Sequence, residues 1–166
     1  MSKLNVKYFF EFVALILLQV LILDNILFLG YINPYIYVMF IILLPFKINK
    51  LPLLLFSFFL GLSVDFFNDT GGIHAAACLC IAYLRPLFIR LSFGINYDLN
   101  TLKLSSAKVR AQLLFTIVMV FTHHLIMFSL EYFSIKYSLE ILTNTLYSAI
   151  FSSLLIYMII LLRSKS

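Results

Sequence analysis

The stretch from Leu51 to Leu91 reads LPLLLFSFFLGLSVDFFNDTGGIHAAACLCIAYLRPLFIRL, two apolar runs joined by a short polar cluster. Leu51 to Phe67 holds a single charge, Asp65, and Ile73 to Leu91 holds none before Arg85. As helices rising ~1.5 Å per residue, runs of this length reach roughly 25–28 Å, close to a hydrocarbon core of ~30 Å. Asn68-Asp69-Thr70-Gly71-Gly72 collects the residue types that end one helix, turn the chain and cap the next. The reading is a pair of membrane-crossing helices, 51–67 and 73–91, returning on themselves through a tight turn.

The same grammar extends in both directions. Upstream, Lys47-Ile48-Asn49-Lys50 is a charged turn that has to reach water, and before it an apolar run opens at Asn33-Pro34 and closes at Pro45-Phe46. Asn is suited to capping and Pro to the first helical position, where its missing N–H costs nothing. This run, 34–46, is short. About 12 helical residues give ~18 Å, so it is expected to be tilted, to thin the bilayer around it or to re-enter. The first run, 9–29, follows Lys3 and Lys7 and is interrupted by Glu11, Gln19 and Asp24. No small-x-small cleavage site follows Leu23, so it is read as a retained segment. Downstream come 111–133 and 141–162, closed by Arg163 and Lys165, after the one long connection, 92–110. In that connection Phe93, Ile95, Tyr97 and Leu99 alternate with polar residues, as expected of a loop lying on the membrane surface. The expectation is one all-α domain over 1–166, a polytopic bundle of six transmembrane helices.

Composition agrees. The chain is 63% hydrophobic and 11% charged, too little polar surface to clothe a water-soluble globule. With six crossings and both termini cytoplasmic, Lys3, Lys7, Lys47, Lys50, Arg85, Arg90, Lys103, Lys108, Arg110, Arg163 and Lys165 fall on the inner face. That leaves Lys136 alone outside, among 12 basic residues. Asp24, Asp65, Asp69, Glu131 and Glu140 gather at the outer ends. Topology and anionic lipid account for the net charge of +5, and no nucleic acid is implied.

Chemistry-bearing residues are few. Arg85 and Arg90 lie late in their segment and are expected to reach back to the headgroups as anchors, with Pro86 bending the helix end. His123-His124 is the most central polar pair. Adjacent helical positions diverge by ~100°, so one metal cannot readily take both. One imidazole is expected to bond across helices while the other packs sideways. Asp65, Asp69 and His74 form a second cluster. The acids are expected to bond the open N-terminus of the 73–91 helix, with partner contact or a cation as alternatives. Gly61 permits close helix approach and Gly72 a tight turn. Cys78 and Cys80 point about 200° apart on a helix and are read as buried small hydrophobes. No phosphate loop, nucleophile elbow, zinc-protease motif or nucleotide-binding glycine pattern occurs, so no enzyme, cofactor or metal is expected.

Gly61-Leu62-Ser63-Val64-Asp65, then Gly72-Ile73-His74-Ala75-Ala76, then Tyr83-Leu84-Arg85-Pro86 resembles the signature region of MreD, the bacterial rod shape-determining membrane protein family. Asn33-Pro34-Tyr35-Ile36-Tyr37 with Leu44-Pro45-Phe46, and His123-His124 leading to Phe128-Ser129-Leu130-Glu131, are similar to that family's second and fifth segments. The likeness spans nearly the whole chain except 92–110. It implies a non-enzymatic scaffold in the bacterial inner membrane that partners MreC, and through it other cell-wall elongation proteins, with no small-molecule substrate. It also implies a fold resembling the six-helix substrate-binding component of energy-coupling factor transporters. A vitamin-binding component of such a transporter is the alternative, for which Tyr31, Tyr35, Tyr37, Asp65 and His74 would supply ligand contacts. An intramembrane metal enzyme is disfavoured because His74 is placed at the outer interface and His123 well below it.

Overall fold

The computed structural model describes residues 2–26, 33–94, 104 and 107–165, with side chains described from Val6 to Arg163 within those ranges. Among the described residues every regular element is helical. In chain order they are α1 (Ser2–Leu21), a 3-10 turn (Leu23–Asn25), a second 3-10 turn (Ile36–Val38), α2 (Met39–Leu43), α3 (Lys50–Asn68), α4 (Ile73–Phe93), α5 (Val109–Tyr132), a third 3-10 turn (Ile135–Tyr137) and α6 (Ser138–Lys165). Five helical stretches are long and apolar enough to cross a membrane: Val6–Asn25, Lys50–Asn68, Ile73–Phe93, Val109–Tyr132 and Ile135–Arg163. The chain is a multi-pass membrane protein by this measure. Each stretch buries less than half of its apolar window within the bundle, 22% for the first and at most 44% for α4 and α5. The outward faces, with Phe59, Leu87, Ile117 and Ile150 exposed, are dressed for lipid.

Sequential helices pack as neighbours, α3 on α4, α4 on α5 and α5 on α6. The α3–α4 hairpin packs backbone to backbone at Gly61, where an added Cβ would lie 2.5 Å from the Cα and N of Ala75. Only a residue without a side chain lets the two backbones meet there. The turn itself passes through left-handed conformations at Asp69 (φ 54°), Gly71 (φ 64°) and Gly72 (φ 100°). Near the end of α6, Arg163 Nη1 meets Glu11 Oε1, midway along α1, at 3.0 Å.

The run 34–46 departs from the expected helix. It has no regular structure at Asn33–Tyr35, makes one 3-10 turn and five residues of α-helix, and leaves the helix after Leu43 through a bend at Leu44 and a turn at Phe46–Lys47. It is deeply buried, with Tyr37, Val38, Phe40, Ile41 and Ile42 at 1% exposure or less. Tyr35 packs on His124 and Phe128 near one end of the bundle, and Phe46 packs on Phe93 and Phe115 near the other. The physical reason is pairing: Gln19, Ser152 and Arg85 satisfy peptide groups at both ends of the run, so it can stay buried without being one continuous helix. The expected surface loop at 92–110 falls mostly on 95–103 and 105–106, outside the described residues. Its described part is tied inward: Leu104 is buried, and Gln112 Nε2 donates to Leu104 O at 2.6 Å and Ala107 O at 3.1 Å.

Candidate functional site

An unwound, buried backbone has peptide groups with no helical partner, and in an apolar interior each must be paired. Three side chains from three helices do this for 33–46. Gln19 of α1, wholly buried, donates Nε2 to Pro34 O (3.1 Å) and accepts Ile36 N–H on Oε1 (2.9 Å). Ser152 of α6 accepts Tyr35 N–H on Oγ at 2.9 Å. Arg85 of α4 donates Nη1 to Pro45 O at 3.1 Å and Nη2 to Leu44 O. Here the sequence reading is corrected. Arg85 does not reach back to the headgroups but turns inward at 1% exposure, its guanidinium over the Phe46 ring at 5.3 Å. Arg90, five residues on, keeps the exposed position expected of it. Pro86 is exposed and α4 continues through it to Phe93.

Asp65 is a helix cap supplied from a neighbouring helix. The N-terminus of α4 follows Gly72, which has no side chain to bond the open N–H groups. Asp65 Oδ1 accepts His74 N–H at 3.0 Å and Oδ2 accepts Ala75 N–H at 2.8 Å, while Thr70 Oγ1 donates to Oδ1 at 2.5 Å. A carboxylate over the positive end of a helix macrodipole, bonded by two amides, is in its most favourable setting. Asp69 does not share this role. It is exposed, and its own N–H closes α3 on Asp65 O.

The imidazoles meet on Tyr37. Its hydroxyl lies 2.7 Å from His74 Nδ1 and 3.0 Å from His123 Nε2, with Cys78 Sγ 3.8 Å from the same His123 nitrogen. The separation in depth inferred from sequence is thus overturned, because one buried phenol from the unwound segment touches both rings. A hydroxyl has one proton to give, so one imidazole accepts it and the other donates to the phenol oxygen. Neither imidazole packs sideways, although one of the two was expected to: both have hydrogen-bond partners on other elements. Both histidines have 0% exposure, and His124 makes its own chain. Its Nδ1 faces Val120 O at 2.7 Å and therefore carries the proton, so Nε2 accepts from Ser152 Oγ at 3.2 Å, and Ser152 in turn accepts from Tyr35 N–H.

At the end of the bundle nearest Tyr35 lies a cavity of ≈ 280 Å³, with Asp24, Asn68, Thr70, His74 and Glu131 on its walls. Asp24 is held by Gln19 Nε2 at 2.7 Å and Asn68 Nδ2 at 2.8 Å. Glu131 stands exposed at the edge. Among the described residues no group of three or more His, Cys, Asp or Glu is placed to hold a metal. The arrangement is one of pairing: Asp65, Gln19, Arg85, Tyr37, His124 and Ser152 each hold a backbone group or ring in place. Tyr37 and Gln19 drew little weight from sequence, and Ser152 none. The available signal was a polar residue embedded in an apolar run, which in a bilayer needs a partner.

No protein-family model matches the chain, no curated protein matches its sequence and no solved structure matches its fold. The class is set by the architecture alone, an all-helical multi-pass membrane protein built around a buried, partly unwound segment.

Proposed function

We propose that this chain is a non-enzymatic membrane scaffold of the MreD kind. In this reading it sits in the bacterial inner membrane and binds MreC, and through it other cell-wall elongation proteins. The unwound segment counts as the second of six crossings, with both termini on the cytoplasmic side where the basic residues gather. The observation that carries the reading is that the residues of the resemblance are spent on architecture. Gly61, Asp65 and His74 fasten α3 to α4, and Arg85 fastens α4 to the buried segment. With Tyr37, Phe40 and Ile41 filling the interior, the surfaces left for a partner are the helix faces and their ends. At the acidic end Phe66, Phe133 and Ile135 stand 83%, 84% and 92% exposed, large apolar side chains suited to a second helix and the segment that follows it.

The test is affinity purification of the tagged chain from its native membranes in mild detergent, with mass spectrometry of co-purifying proteins and small molecules. Recovery of an MreC-type single-span protein with cell-wall synthesis proteins supports the scaffold. Recovery of an ATPase module with a stoichiometric vitamin overturns it in favour of a transporter component.

A further inference from the structure

We infer that the cavity at the basic end of the bundle binds a phosphate-bearing anion, with Arg85 as its inner wall and Lys50 and Arg90 at its mouth. The cavity measures ≈ 420 Å³ and lies between the start of α3 and the last turns of α4, with Phe46 and Tyr83 among its walls. Among the described residues its lining includes three cations and no carboxylate.

Arg85 is the decisive residue. It is buried, its two described hydrogen bonds go to neutral carbonyls, and its Nε has no partner. The ion pairs among the described residues join Glu11 to Lys7 and to Arg163, so no described carboxylate neutralises Arg85. A guanidinium keeps its charge in proteins, and a buried charge without a counter-ion is among the costlier arrangements a fold can hold. Carbonyl dipoles orient it without cancelling it. The Nε–H and the remaining Nη hydrogens form the planar fork that matches two oxygens of a phosphate. Lys50 Nζ sits 4.4 Å over the Tyr83 ring at the mouth, and Arg90 is exposed with no ion pair to a described residue, so both side chains are placed to complete the coordination.

Two sources carry this chemistry, free phosphate and a phospholipid headgroup. A bare phosphate takes the room of about two to three waters at ~30 Å³ each, far less than the cavity. The surplus, and a mouth among residues at helix ends, fit a phosphoglycerol headgroup entering from the bilayer surface. The inference is independent of any protein partner.

The experiment uses the full chain purified in mild detergent and exchanged free of lipid. Native mass spectrometry and thermal melts are run with phosphatidylglycerol, with a neutral phosphate-free glucosyl diacylglycerol, and with inorganic phosphate against chloride at equal ionic strength. Saturable one-to-one binding of phosphatidylglycerol, at least about tenfold tighter than the glycolipid, is expected. The double variant Lys50→Gln, Arg90→Gln alters only exposed side chains. It should melt like the parent without lipid, yet bind phosphatidylglycerol roughly tenfold more weakly. Protection by inorganic phosphate alone, lost in the double variant, would assign the site to the free ion. Equal binding of both lipids, no binding of either phosphate source, or an unaltered double variant would overturn the inference.

Discussion

Replacing Asp65 by alanine removes a cap from two helices' worth of packing without touching the apolar core. The carboxylate accepts from His74 N–H and Ala75 N–H and from the Thr70 hydroxyl, and it is nearly sealed from solvent. Hydrogen bonds to a charged group contribute ~1.5–3 kcal/mol each, and the helix macrodipole adds ~0.3–1 kcal/mol. Because the site is buried, water cannot fully replace the lost acceptor. The expected loss for Asp65→Ala is about 4 kcal/mol, roughly a thousandfold in the folded-to-unfolded ratio. Asp65→Asn keeps one acceptor but turns an NH₂ toward an amide N–H, and should lose about 2–3 kcal/mol. Asp69→Asn, at an exposed left-handed position (φ 54°) that asparagine tolerates as aspartate does, is the control and should stay within about 0.5 kcal/mol. The assay is reversible unfolding in mixed micelles with rising dodecyl sulfate, followed by far-ultraviolet circular dichroism. A loss below about 1 kcal/mol for Asp65→Ala, or equal losses for Asp65 and Asp69, would refute the assignment of Asp65 as the cap of α4.

Other substitutions probe the remaining joints. Gly61→Ala drives a methyl into the backbone of Ala75 and should destabilise by about 3 kcal/mol, read in the same unfolding assay. Tyr37→Phe strips the shared hydroxyl from His74 and His123, and a loss of about 2 kcal/mol is expected, with changed imidazole NMR resonances for both rings. Ser152→Ala leaves Tyr35 N–H and the His124 ring nitrogen without their partner and should lose about 1–3 kcal/mol, whereas Ser63→Ala, an exposed back-bonding serine, should lose little.

The helices were legible because apolar length leaves little choice in a bilayer. Runs such as 51–67 and 73–91 must satisfy their backbone internally, and only a helix does so within one segment. Their structural limits, Lys50–Asn68 and Ile73–Phe93, differ by only one or two residues from the sequence reading. The turn was legible for a similar reason, since Gly71 and Gly72 supply the left-handed conformations it uses. Asp65 as a cap followed from a carboxylate placed within one turn's reach of an open helix start.

What escaped the sequence was everything that depends on a third element. The local pattern of 34–46 is that of a short helix, and nothing within it says that Gln19, Ser152 and Arg85 will arrive to pair its peptide groups and let it unwind. Arg85 has the spacing of a surface anchor, and only the carbonyls of Leu44 and Pro45 draw it inward. His74 and His123 are 49 positions apart, and their meeting rests on Tyr37 coming between them. By itself the sequence determined the solvent of this protein, its helical class and the placement of its turns, because those follow from hydrophobic run length and local backbone preference. The tertiary structure decided which polar groups are partners, because a hydrogen bond is set by position in space to a few tenths of an ångström, and residues distant in sequence acquire that position only when the helices pack.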